Sequence, residues 1–146
     1  MNQSRNKINT IIDGKLYQRG QILSWKRLDK YNLIKELNVG IVVNFWPKLD
    51  PDMSDMPCWY WYLPCSSERM LDNKVFRMAH TLSNLLMKND FSALILCEAG
   101  ATRSVFFTAL VLHYMDNDLF VLRHIETILP KHKMKSYMVD YLRQLK

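Results

Sequence analysis

Apolar positions recur along this chain with two periods. Between Ser24 and Asn38, Leu28, Tyr31, Ile34 and Leu37 return at three- and four-residue steps. That spacing predicts a helix with Ser24 as its N-cap and Asn38 at its C-terminal end. A longer helix is predicted from an N-cap at Asp72 to about Lys88, with Val75, Met78, Ala79, Leu82, Leu85 and Leu86 on its apolar face. Val105–Met115 reads as a third helix, apolar almost throughout. Two more are expected over about Asp118–Leu129 and Met134–Leu145, parted by Pro130.

Between the helices lie short runs of strand character. Lys15–Arg19 alternates. Ile41–Phe45, after an expected turn at Gly40, is β-branched and reads as a strand buried on both faces. Trp59–Leu63 and Ala93–Leu96 complete the set. Pro47, Asp50, Pro51, Asp52, Ser54, Asp55 and Pro57 mark one loop, and Pro64 opens another over Cys65–Leu71. The first dozen residues read as a loose arm. Strands alternating with helices predict an α/β fold, with a central, mostly parallel sheet of four to five strands flanked by helices. In such sheets ligands bind where strand carboxyl ends meet helix N-termini.

Composition narrows the picture. The 146 residues suit one domain spanning residues 1–146, and 49% apolar with 23% charged residues is ordinary globular usage. The longest apolar stretches, such as Val105–Tyr114, are too short to span a bilayer, and the N-terminal residues lack the apolar core of a signal peptide. A cytoplasmic protein is expected. The net charge of +6 favours anionic partners, but the basic residues are scattered. Lys131–Lys135, the densest patch, is too short to carry a nucleic-acid reading. Three cysteines (Cys58, Cys65 and Cys97) argue against a disulfide framework. His80, His113, His124 and His132 show no metal-ligand spacing, so a zinc site is not expected.

One segment carries chemistry. Cys97-Glu98-Ala99-Gly100-Ala101-Thr102-Arg103-Ser104 joins an apolar strand to an apolar helix. In a tight loop leading into a helix, backbone N–H groups converge and bind a tetrahedral oxyanion. Gly100 lets the backbone turn closely. Arg103 adds a planar, bidentate grip on two phosphoryl oxygens. Such a positive field favours the thiolate, the nucleophilic form of a cysteine, and Ser104 can donate its hydroxyl to the Cys97 sulfur. Glu98, Ala99, Gly100, Ala101, Thr102 and Arg103 are therefore the candidate phosphate-binding residues, with Cys97, Arg103 and Ser104 as candidate catalytic ones.

This signature resembles that of the dual-specificity class of cysteine-dependent protein tyrosine phosphatases, C-x-x-G-x-x-R-[ST]. Leu16–Gly20, the run from Leu37 to Asn44, Tyr62-Leu63-Pro64 and the C-terminal stretch through Pro130 to Leu142 are similar to other parts of that family. The resemblance implies a small phosphatase fold, no cofactor, and hydrolysis of phosphotyrosine, phosphoserine or phosphothreonine on proteins through a phosphocysteine. Two positions depart from the pattern. Leu96 stands where the family carries a histidine that orients the loop, which implies reduced activity. No aspartate follows Pro64 closely as general acid; Asp72 and Glu68 are the substitutes on offer, with Asp50, Asp52 and Asp55 as weaker ones. Glu98, in a loop without lysine, disfavours a multiply charged headgroup and points to a phosphopeptide. The aromatic run Trp59–Tyr62 could line a pocket, but aromatics on a central strand more often pack as core, and that is the expectation. Two alternatives stand beside an active phosphatase: a weakly active or inactive module that binds phosphorylated partners, and a basic nucleic-acid-interacting protein.

Overall fold

The computed structural model describes residues 8–115 and 120–145. A five-stranded sheet runs through the molecule in the order β1-β2-β5-β3-β4. Its strands are β1 (Asn9–Ile12), β2 (Leu16–Gly20), β3 (Val39–Asn44), β4 (Trp59–Tyr62) and β5 (Ser92–Cys97). Only the β1–β2 pair is antiparallel; β2, β5, β3 and β4 are mutually parallel. The helices are α1 (Arg27–Glu36), α2 (Asn73–Lys88), α3 (Arg103–Met115), α4 (Val121–Ile128) and α5 (Ser136–Gln144). This is the α/β arrangement that alternating strands and helices predict.

β5 lies at the centre, and every residue of Ser-Ala-Leu-Ile-Leu-Cys is buried. The period of two then divides the core. Ala93, Ile95 and Cys97 face α2, α3, α4 and α5, together with Ile41 and Val43 of β3. Leu94 and Leu96 face the other side, where Ile34 of α1 and Met53 of a 3-10 turn over Pro51–Asp55 cover the sheet. α3 is buried from Ser104 to Leu112, sandwiched between the sheet and its fellow helices. That explains its apolar circumference.

Several local expectations are corrected. The supposed loose arm holds β1, which pairs with β2 through a tight turn at Asp13-Gly14; Gly14 adopts φ +78°. The Asp-Gly dipeptide is a hairpin signal that the opening polar residues obscure. Gly40 is no turn: it lies inside β3, where a Cβ would sit 2.3 Å from the Phe91 ring. Ser24 does not cap α1. It falls in a turn closed by Trp25 N–H on the Ile22 carbonyl at 2.9 Å, and the helix begins after Lys26. Asn38 does end that helix region, with φ +51° just beyond the C-cap. Asp72 caps α2 as predicted, accepting from Lys74 N–H at 2.7 Å. The expected start of the fourth helix at Asp118 lies outside the described residues, and the observed element begins at Val121.

The aromatic strand β4 is at the sheet edge rather than the centre, so Trp59 is 60% exposed and its three neighbours are half-buried. After β3 the chain is tied down by charge. Lys30, 1% exposed, donates to Asp50 at 2.9 Å, Asp52 at 2.8 Å and the Leu23 carbonyl at 3.1 Å. Among the described residues, no helix is long and apolar enough to cross a membrane.

Candidate active site

The parallel strands bring Gly20, Asn44, Tyr62 and Cys97 to one edge of the sheet. The loops that follow them meet there, as the topology requires. Cys97 ends the central strand and is 2% exposed, with its Sγ 3.0 Å from Ser104 Oγ. Ser104 is the second residue of α3, so the start of the helix closes the loop back onto the thiol.

The loop between them is held from outside. The Glu98 carbonyl accepts from Gln21 N–H at 3.3 Å, and the Ala101 carbonyl from Lys133 N–H at 2.7 Å. Gln18 Nε2 donates to the Gly100 carbonyl at 2.7 Å, and Thr102 Oγ1 donates to the Lys133 carbonyl at 3.0 Å. These bonds commit the Glu98, Gly100 and Ala101 carbonyls to partners outside the loop, an arrangement in which a loop's amide groups can form a cup for an anion. Gly100 is required here for two reasons. Its φ of +70° is left-handed, and a Cβ would lie 2.3 Å from the Gly20 nitrogen. The loop therefore lies directly against the end of β2.

Arg103 reaches across the site. Its Nη1 donates to the carbonyls of Cys65 at 2.9 Å and Phe45 at 3.3 Å, while Nη2 stands 3.9 Å from Glu98 Oε2. The guanidinium is 14% exposed, so it rests inside the site on carbonyl oxygens rather than out in water. Leu96, in the position before the cysteine, points to the opposite face and packs with Tyr17, Ile22 and Met53. It can offer the loop no hydrogen bond.

The loop after β4 carries both candidate acids. Asp72 is committed as the cap of α2, and it lines a cavity of about 320 Å³ with Phe45, Tyr62, Pro64, Cys65 and Arg69. Glu68 lies on a short 3-10 turn over Ser67–Arg69 and is exposed. Burial pushes the Cys65 thiol above its ordinary value, against the pull of Arg103 and Arg69. Burial likewise raises the Tyr137 hydroxyl, with Glu68 and Cys65 adding to it. In the earlier loop, Asp50 and Asp52 are bound to Lys30, and Asp55 to Arg27 at 2.7 Å.

Two residues at the site escape a reading of the sequence. Gln18 is fully buried beneath the loop, and its signal was a polar side chain on the face of β2 that also carries the buried Leu16. The Tyr137 hydroxyl is buried with no hydrogen-bond partner among the described residues. Nothing in the sequence ties α5 to the loop after β4. Among the described residues no group of His, Cys, Asp or Glu stands ready to hold a metal.

The fold is that of dual-specificity-type phosphatases. The structure of PTPMT1 in complex with PI(5)P matches with a TM-score of 0.76 at 11% identity, covering 94% of this chain and 93% of that one. Human tyrosine phosphatase-like serine/threonine/tyrosine-interacting protein matches at 0.72 and 14% identity, over 94% and 93% of the two chains. Human DUSP28 matches at 0.71 and 10%, over 94% and 91%. At these identities the likeness is one of fold. No family model and no curated protein matches the sequence.

Proposed function

We propose that this protein is a cysteine-dependent phosphatase acting on phosphate monoesters of proteins, phosphotyrosine above all. The observation that carries the reading is the Cys97 sulfur, set 3.0 Å from Ser104 Oγ at the foot of the loop that Arg103 closes. An entering phosphoryl group occupies the cup, and Arg103 leaves its carbonyl partners for two phosphoryl oxygens. The Cys97 thiolate attacks phosphorus in line. An S–P bond forms, and the P–O bond to the leaving oxygen breaks. A carboxyl group gives that oxygen its proton. Asp72 is engaged as a helix cap, its carboxylate accepting from Lys74 N–H. Glu68 is therefore the acid we assign. Water then attacks the phosphocysteine, giving its proton to the same carboxylate. The sulfur leaves as thiolate against the Ser104 hydroxyl, and inorganic phosphate departs. Glu98, 66% exposed at the rim, disfavours polyanionic substrates and leaves phosphopeptides as the fitting class. All three cysteines are free, which fits a reducing, cytoplasmic compartment.

Leu96 and the carbonyl-bound Arg103 favour one second reading, a module that binds phosphorylated partners and turns them over poorly. Hydrolysis of p-nitrophenyl phosphate separates the two. Vanadate-sensitive turnover that falls at least about a thousandfold in Cys97→Ser supports the enzyme. Absent turnover, with phosphopeptide binding lost in Arg103→Ala, supports the module. Binding that ignores both substitutions and falls steeply with salt overturns both, in favour of non-specific anion or nucleic-acid binding.

A further inference from the structure

Gln18 lies outside the signature, yet it makes three hydrogen bonds beneath it. We infer that Gln18 is a positioning residue that aims the Ser104 hydroxyl at the Cys97 sulfur. The inference rests on the phosphatase reading for its kinetic consequence and for the ionised sulfur, but not for the contacts themselves.

A glutamine carboxamide has two N–H donors and one acceptor oxygen. Gln18 Oε1 accepts from Asn9 Nδ2 at 2.9 Å, and Nε2 donates to the Gly100 carbonyl at 2.7 Å. A carbonyl can only accept, so the Gly100 contact alone requires the nitrogen end to face the loop. The remaining N–H goes to Ser104 Oγ at 2.6 Å. An oxygen that receives that hydrogen bond has one proton of its own to give, and the Cys97 sulfur stands 3.0 Å away. As the thiolate that the phosphatase reading requires, that sulfur has no proton and can only accept. The chain Asn9 to Gln18 to Ser104 to Cys97 therefore runs in one direction, from the edge strand to the nucleophile. Gln18 is fully buried, so water does not compete for its amide.

The consequence falls on sulfur as nucleophile and as leaving group, while the loop keeps its bonds from Gln21 and Lys133 and Arg103 keeps its partners. Two measurements read it. One is the rate at which iodoacetate alkylates Cys97 near neutral pH, followed by mass spectrometry of its peptide so that Cys58 and Cys65 are excluded. The other is the pre-steady-state burst with p-nitrophenyl phosphate. Gln18→Leu is expected to slow Cys97 alkylation by about tenfold, as Ser104→Ala does. The double variant is no slower in alkylation than Ser104→Ala alone, because the hydroxyl that Gln18 aims at the sulfur is already gone. With substrate, kcat falls, KM does not rise, and phosphocysteine accumulates.

Asn9→Ala, at a half-buried position of the edge strand, removes the bond that braces Gln18 Oε1 while Gly100 still orients the amide, and gives a smaller loss in the same direction. It carries the test if Gln18→Leu does not fold. Wild-type alkylation rates in folded Gln18→Leu, or in Asn9→Ala where the leucine variant is unfolded, overturn the inference. Additive losses in the double variant overturn it as well. A wild-type protein that alkylates at Cys97 but never turns over p-nitrophenyl phosphate defeats the phosphatase reading, and leaves the alkylation comparison to decide on Gln18.

Discussion

Gly100 shows how closely single residues constrain this site. Its left-handed φ of +70° and the 2.3 Å that a Cβ would leave to the Gly20 nitrogen allow no side chain. The obstacle is backbone, which cannot rotate away. Gly100→Ala is expected to push the loop off β2 and to lower kcat/KM for p-nitrophenyl phosphate by about a hundredfold. Near wild-type kinetics in that variant would mean that the loop adapts and that its observed shape is not needed. Lys30 is the opposite case, a charge buried because it is fully partnered. Burial opposes the ammonium, but hydrogen bonds to Asp52 and Asp50 outweigh it and raise the Lys30 pKa above the ordinary 10.5. Its stabilising contribution is therefore complete below pH 10.5 and is lost as pH rises through the folded value. Lys30→Met strands Asp50 without its cation and is expected to cost about 3 kcal/mol or more in denaturant unfolding.

At the scale of elements, the loop after β4 and the start of α2 divide two tasks between two carboxylates. Asp72 accepts from Lys74 N–H at 2.7 Å, the geometry of an N-cap. Asp72→Ala is expected to lower stability by about 1 kcal/mol and to change kcat little. Glu68→Gln is expected to leave stability unchanged and to lower kcat by about a hundredfold on alkyl phosphates, whose leaving group needs a proton. Thermal melts and kcat on the two variants check the assignment, and the reverse pattern would make Asp72 the acid. The cap was legible because Asp72 stands immediately before an apolar period of three and four. The hairpin of β1 and β2 was less so: four-residue β1 has one buried side chain, Ile11, and presents little apolar alternation. Ser24 misled because its residue type suits a cap, while the turn closed by Trp25 N–H delays the helix until Arg27.

At the scale of the molecule, two cores meet across one sheet, and α3 fills most of the larger one. His113 sits half-buried at its last turn, edge-on to Tyr114 with ring centroids 5.3 Å apart. Burial lowers the His113 pKa below its ordinary 6.5. The unfolded chain then binds a proton that the folded ring refuses, so stability is full above pH 6.5 and declines as pH falls below it. A melting temperature that drops on mild acidification, with a shallower drop in His113→Asn, is the expected result. Equal slopes for the two proteins would assign the acid sensitivity elsewhere.

Local order in the chain was enough to determine the alternation of strands and helices, the strand–loop–helix junction at Cys97, and the identity of sulfur, guanidinium and hydroxyl within it. These follow from periodicity, turn chemistry and the spacing of a contiguous motif. Strand order, by contrast, came only from the assembled sheet, because parallel neighbours are distant in sequence. That assembly set Gln18 under Ser104, brought the Cys65 carbonyl to Arg103, turned Leu96 to the far face and left the aromatic strand at an edge. Each of these depends on which segments share a register and a layer, and no local pattern of residues encodes that choice.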